Sequence, residues 1–89
     1  MNKLVLISGS SRGLGAAMAK SFSEAGYKVA INYFKSEKEA KSLSESLHSQ
    51  SHIFKCDVSS KDDVDAMLES IKEEFGYHPS IFVNNAMTS

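Results

Sequence analysis

Three glycines, Gly9, Gly13 and Gly15, follow the apolar run Leu4-Val5-Leu6-Ile7 at the spacing Gly-x-x-x-Gly-x-Gly and precede a stretch with helical periodicity. A turn built this way lets the backbone come close to a phosphate, because glycine has no Cβ in the path and tolerates positive φ. Amides at the start of the helix then face the anion, and the helix dipole adds to the attraction. Strand, turn and helix stand in the order that this chemistry requires. The spacing also excludes two other phosphate loops: the Gly-Lys-Ser/Thr ending of a Walker loop is missing, and the glycines do not recur at every second residue as in a methyltransferase-type loop.

Two further groups could touch a nucleotide. Asp57-Val58 follows the apolar segment Ile53-Phe54-Lys55-Cys56, and Asn84-Asn85-Ala86 follows Ile81-Phe82-Val83. With Ser8-Gly9-x-x-x-Gly13-x-Gly15 these motifs, in this order and spanning nearly the whole chain, resemble the short-chain dehydrogenase/reductase family, with serine in place of the leading threonine. Within that family, Ser-Arg-Gly-Leu-Gly and Ile-Asn-Tyr most resemble β-ketoacyl-acyl-carrier-protein reductases. The resemblance implies that Gly9, Ser11, Arg12, Gly13, Leu14 and Gly15 surround the phosphates of a nicotinamide dinucleotide. It also implies that Asp57 accepts a hydrogen bond from the adenine amino group while Val58 packs on the ring. An aspartate that serves only its own turn is the other reading of Asp57. Asn85 and Ala86 would line the passage toward the nicotinamide ribose, and Asn84 would tie neighbouring strands through its side chain.

A site selective for NAD places a carboxylate at the end of the second strand, where it accepts hydrogen bonds from the ribose hydroxyls. Here Tyr33 stands there, eighteen residues after Gly15. Arg12 and Lys35 could instead clamp a ribose 2′-phosphate, with the Ser36 hydroxyl nearby, so NADP(H) is expected over NAD(H). Two exposed basic residues without a ligand are the plainer alternative.

The chain departs from the family pattern at Met87, where glycine is usual. Either the backbone path differs beside the cofactor, or Met87-Thr88-Ser89 is a tail produced by truncation. No Tyr-x-x-x-Lys pair is present, since the positions four after Tyr27, Tyr33 and Tyr77 hold Ile31, Glu37 and Ile81. Without a tyrosine beside a lysine there is no proton donor for carbonyl reduction, and the chain is expected not to turn over substrate alone. Residues 1–89 are therefore expected to be the amino-terminal, dinucleotide-binding part of a truncated Rossmann domain. The parent would be an NADP-dependent oxidoreductase, homo-oligomeric at full length, acting on a small-molecule or acyl-carrier-linked carbonyl or alcohol. A non-catalytic nucleotide-binding or interaction module is the competing function.

Bulk properties are consistent with a small folded domain. Hydrophobic residues make up 42% and charged residues 24%, which excludes a disordered composition. Cys56 is the single cysteine, so no internal disulfide or cysteine pair for a metal exists. The opening apolar run is too short for a signal-peptide core or a membrane span, which leads to an expected cytoplasmic location with no membrane partner. Residues 1–44 hold seven basic and three acidic side chains, residues 45–89 three and eight, so the positive end coincides with the glycine turn. No basic stripe interleaved with aromatics supports nucleic-acid binding. His48 and His52 straddle a helix end and a strand start, a poor arrangement for shared metal ligation.

The elements alternate. Leu4–Ile7, Lys28–Tyr33, Ile53–Cys56 and Ile81–Val83 read as strands. Leu14, Ala17, Met18, Phe22 and Ala25 give the first helix an apolar stripe that Gly26 ends. Ser36 and Glu39 form a capping-box pattern for a second helix with the stripe Ala40, Leu43 and Leu47. Ser60 caps a third, with Val64, Met67, Leu68, Ile71 and Phe75 on one face and Gly76 and Pro79 closing it. Short turns between them predict right-handed crossovers and an α/β, doubly wound fold: a parallel sheet of about four strands in the order 3-2-1-4, with three helices. Strand four is expected to be an open edge, and the third helix to be left partly uncovered on the face opposite the other two.

Overall fold

The computed structural model describes residues 2–10 and 13–85. Leu4–Ser8 forms β1 and Gly13–Glu24 forms α1, then come β2 (Lys28–Tyr33), α2 (Glu37–Ser46), β3 (Ser51–Lys55), α3 (Lys61–Phe75) and β4 (Ile81–Asn84). The four strands are parallel in the order β3-β2-β1-β4, as the alternation of elements predicts. Among the described residues no helix is long and apolar enough to cross a membrane.

β1 lies inside the sheet and is covered on both faces, which is why its sequence runs apolar without alternation. Its side chains still alternate in direction. Leu4 and Leu6 join Ala30, Phe54 and Cys56 under Met67, Ile71 and Phe75 of α3. Val5 and Ile7 join Val29, Ile31 and Tyr33 under Ala19 of α1 and Ala40 and Leu43 of α2. The helices therefore divide as expected, with α3 on one face and α1 and α2 on the other.

Two local expectations differ from the structure. In α1 the buried residues are Gly15, Ala19 and Ser23; of the expected stripe Met18 and Phe22 pack half-buried on the core, whereas Leu14, Ala17 and, after the helix, Ala25 are exposed. A close approach of the helix to the preceding turn at Gly15 sets this rotation, so small residues face the sheet and Leu14 points outward. At α2, Ser36 occupies the N-cap with φ −99° and ψ 59° but makes no side-chain capping bond, because that ψ departs from the extended value of a capping residue. The stripe of α3 is uncovered only in part: Ile71 is fully buried and Met67 and Phe75 nearly so over β1, β2 and β3, whereas Val64 and Leu68 are partly buried.

Other signals are realised as read. The Ser60 hydroxyl accepts the Asp63 backbone N–H at 3.3 Å, and Gly76 ends α3 in the left-handed region. β3 begins two residues earlier than its apolar segment, at Ser51 and His52, which pair with Val29 and Ala30. Polar side chains are tolerated there because β3 is an edge strand. At the opposite edge β4 leaves Phe82 56% exposed, in keeping with an open edge.

Candidate functional site

Parallel strands deliver their carboxyl ends to one edge of the sheet, and every predicted site residue that the structure describes follows one of those ends. The glycine turn follows β1, and Tyr33, Lys35 and Ser36 end or follow β2. Asp57 and Val58 follow β3, and Asn85 follows β4. Ser11, Arg12, Ala86 and the Met87 departure lie outside the described residues.

Hydrogen bonds fix how these segments meet. The Ser8 hydroxyl accepts the backbone N–H of Asn85 at 2.9 Å and lies 3.0 Å from Asn84 Oδ1, to which it can donate. Asn84 thus ties β4 to β1 through its side-chain oxygen, as its place in the motif implies. The Asn85 side-chain amide donates to the Gly9 carbonyl at 3.4 Å, and the Ser10 hydroxyl donates to the Ile7 carbonyl at 2.9 Å. The turn is closed from β4 and from its own strand.

The glycines divide the work. Gly9 and Gly13 have φ of 60° and 64°. A Cβ on Gly15 would stand 2.6 Å from the Gly9 carbonyl oxygen and 2.8 Å from Asn85 Nδ2, so the helix packs on the turn only without a side chain there. A Cβ on Gly13 would meet nothing within 4 Å among the described residues, so among those residues the turn is tight behind Gly15 and open in front of Gly13. That open side lies at the start of a helix, where the dipole favours an anion such as a pyrophosphate. The first turn of α1 carries no acidic side chain, whereas α2 has Glu37 and Glu39 and α3 has Asp62 and Asp63 in theirs. The dipole of α1 is therefore not offset by its own carboxylates. Leu14 presents an apolar surface that is 64% exposed beside this opening.

On the β2 side, Tyr33 is largely buried in the core beneath α1 and α2. Burial, then the charge of Glu37 and a hydrogen bond to it, raise the phenol pKa, and Lys41 opposes this. Glu37 also pairs with Lys41 at 3.3 Å. Lys35 is exposed, its ammonium 5.8 Å from the centre of the Phe34 ring.

On the β3 side, the Cys56 N–H donates to the Tyr33 carbonyl at 2.9 Å, which sets Asp57 beside the segment leaving β2. Asp57 Oδ1 accepts from the Ser59 hydroxyl at 2.6 Å and the Ser59 N–H at 3.0 Å. Those two bonds, the hydroxyl first, hold the Asp57 carboxyl below the usual carboxylate range. Asp57 is thus an ionised acceptor within a turn, so its turn-forming role is realised and one oxygen remains outside those two bonds. Val58 is half-buried against the α3 side of the core. Burial, then the charges of Asp63 and Asp57, push the Cys56 thiol up, which disfavours the thiolate.

Sequence reasoning missed Asn32. It is 2% exposed, and its side chain and main chain both engage the glycine turn. The signal was available, since an amide in a strand buried on both faces must find hydrogen-bond partners. Also unforeseen is a groove of about 510 Å³ on the flank between β3 and α3, lined by residues that include His52, Phe54, Lys55, Met67 and Glu74. No residue of the glycine turn lines it. His52 faces Glu74 across 3.8 Å, and among the described residues no three His, Cys, Asp or Glu side chains cluster as metal ligands.

Comparison with known proteins adds the following. Residues 9–89 match a family described as enoyl-(acyl carrier protein) reductase. The chain is 35% identical over 89 residues to a 3-oxoacyl-(acyl-carrier-protein) reductase of Staphylococcus epidermidis, with 97% of this chain and 36% of that protein covered. It is 37% identical over 86 residues to an acetoacetyl-CoA reductase of Paracoccus denitrificans, covering 97% of this chain and 34% of that protein. Among solved structures, a short-chain dehydrogenase/reductase from Serratia marcescens superposes with a TM-score of 0.86 at 27% identity, covering 93% of this chain and 35% of its own. The chain thus spans about a third of the length of the relatives it matches.

Proposed function

This chain belongs to the short-chain dehydrogenase/reductase family, and on that premise we propose that the carboxyl edge of its sheet holds NADP(H) as the dinucleotide-binding part of an oxidoreductase. The observation that carries the proposal is the turn itself: closed at Gly15, open at Gly13 among the described residues, and followed by a helix start without acidic side chains. The pyrophosphate would lie against Gly9, Gly13, Leu14 and Gly15, with Ser11 and Arg12 part of the same loop. Asp57 and Val58 would receive the adenine, and Asn85 and Ala86 would line the way to the nicotinamide.

For the ribose 2′-phosphate, Lys35 supplies charge and Ser36 a hydroxyl not engaged in capping α2. Tyr33 contributes no carboxylate at that point. Glu37, the nearest acid on α2, is neutralised in part by Lys41. NADP(H) is accordingly the preferred dinucleotide in this proposal.

When bound, the nicotinamide supplies or accepts hydride. The residues of this chain bind and orient it, and none of them stands as a Tyr-x-x-x-Lys proton donor, so these 89 residues bind without turning over. Residues 1–89 correspond to the amino-terminal third of the relatives, whose names point to 3-oxoacyl groups on acyl carrier protein and to acetoacetyl-CoA as the substrate class. A cytoplasmic location and homo-oligomeric assembly of a full-length enzyme are parts of the same proposal.

The test is a titration of NADP(H) and NAD(H) at fixed ionic strength. NADP(H) binds more tightly, and Arg12→Ala and Lys35→Ala each weaken it, the former by about 1.5 to 3 kcal/mol for a charged hydrogen bond. Equal affinities, or a preference that both substitutions leave untouched, would remove the assignment of NADP(H).

A further inference from the structure

Asn32 touches both sides of the proposed nucleotide site and is itself buried. Its Oδ1 accepts the Gly9 N–H at 3.4 Å, and its main-chain carbonyl accepts the Ser10 N–H at 3.4 Å. Two successive amides of the turn therefore point back into the sheet. On the other side its amide group lies 3.3 Å from the Tyr33 and Phe54 carbonyls and 3.2 Å from that of Cys56, the residue before Asp57. An amide nitrogen has two hydrogens, so these three acceptors share them.

We propose that Asn32 is a positioning residue that locks the phosphate turn after β1 to the adenine-side rim after β3, so that both ends of one dinucleotide are met at a fixed separation. This deepens the dinucleotide reading and rests on it. The physical basis is that a binding group held in place before the ligand arrives avoids the cost of ordering it on binding. With the Gly9 and Ser10 amides directed inward, the donors left for the pyrophosphate are those further along, at the start of α1. A shorter or apolar side chain at position 32 would free the Gly9 amide and let the turn shift against Asp57.

The experiment uses the protein labelled with ¹⁵N, with Asn32→Ala and Asn32→Ser compared with the wild type. Amide exchange is read at Gly9 and Ser10 against Ile7 and Ile31 of the neighbouring strands, and NADP(H) affinity is read by calorimetry. In a folded variant, exchange at Gly9, whose acceptor is lost, quickens by about tenfold or more relative to Ile7 and Ile31, Ser10 quickens less because its main-chain acceptor stays, and affinity falls by about tenfold, the effect of one lost hydrogen bond near the upper end of its range. Exchange that quickens equally at all four amides, folded variants that bind within twofold of the wild type, or both variants lacking any folded population would overturn the proposal. In the first and last cases Asn32 holds the sheet rather than the turn. A wild-type protein that binds neither dinucleotide refutes the function proposed above and with it the role in binding, whatever the exchange rates show.

Discussion

Ser8 Oγ accepts the backbone N–H of Asn85 at 2.9 Å, a buried bond that joins the end of β1 to the end of β4 beside the glycine turn. Ser8→Ala removes that acceptor and the donor facing Asn84 Oδ1. The expected loss is about 1–3 kcal/mol, the net worth of two hydrogen bonds at this seam. Urea denaturation reads it directly, and an unchanged midpoint would show that the hydroxyl does not hold β4.

Gly13 and Gly15 should respond to alanine for different reasons. Gly15→Ala forces a Cβ against the Gly9 carbonyl and the Ser10 Cα, both backbone, and overpacking of this kind costs about 1–3 kcal/mol. Gly13→Ala meets no atom of the described residues but must hold φ near 64°, at a cost of roughly 1–2 kcal/mol. Only Gly15→Ala should also shift the Gly9 and Ser10 amide resonances, since only there does the turn have to move.

The Cys56 thiol should be slow to alkylate. Burial and the charges of Asp63 and Asp57 keep its proton on, so from pH about 7 to 9 the native thiol should react more slowly than the same thiol in urea, and should still be accelerating where the urea rate levels off. The sign for stability follows. A folded pKa above the unfolded one contributes stability that is complete below the unfolded thiol pKa and lost as pH rises toward the folded value. A native rate that tracks the urea rate across that range would contradict the burial of Cys56.

Asp57 has the opposite sign. Its lowered pKa contributes stability above the ordinary carboxylate pKa that is lost as pH falls through the folded value. Ser59→Ala removes the hydroxyl bond, the larger cause, and should move the Asp57 titration up toward the ordinary range in a carboxyl-detected NMR experiment. No movement would place the cause elsewhere.

Strand order, helix sidedness and the location of the turn were legible in the sequence, because continuous apolar runs such as Leu4–Ile7 and breakers such as Gly76 and Pro79 carry that information locally. The rotation of α1 was not. Leu14 and Ala17 score as apolar on either side of a helix, and the contact that decides the matter, Gly15 against Gly9, joins elements through the turn. Ser36 has the right type for a cap, yet capping depends on its ψ, which composition does not reveal. Asn32 read as one more strand residue because the partners that distinguish it are scattered along the chain: Gly9 and Ser10 in the turn, Tyr33 in β2, Phe54 in β3 and Cys56 just after it. The groove between β3 and α3 likewise exists only once the edge strand and the helix are assembled.

That groove supplies the contrast for the most direct test of a dinucleotide on the strand ends. ¹⁵N-labelled protein is titrated with NADP(H) and the amide resonances are followed. The predicted result is that shifts gather at Gly9–Gly15, Tyr33–Ser36, Asp57–Val58 and Asn85, and that His52, Ser70 and Glu74 on the groove stay put. Shifts confined to His52, Ser70, Glu74 and their neighbours, or none at any concentration, would contradict it.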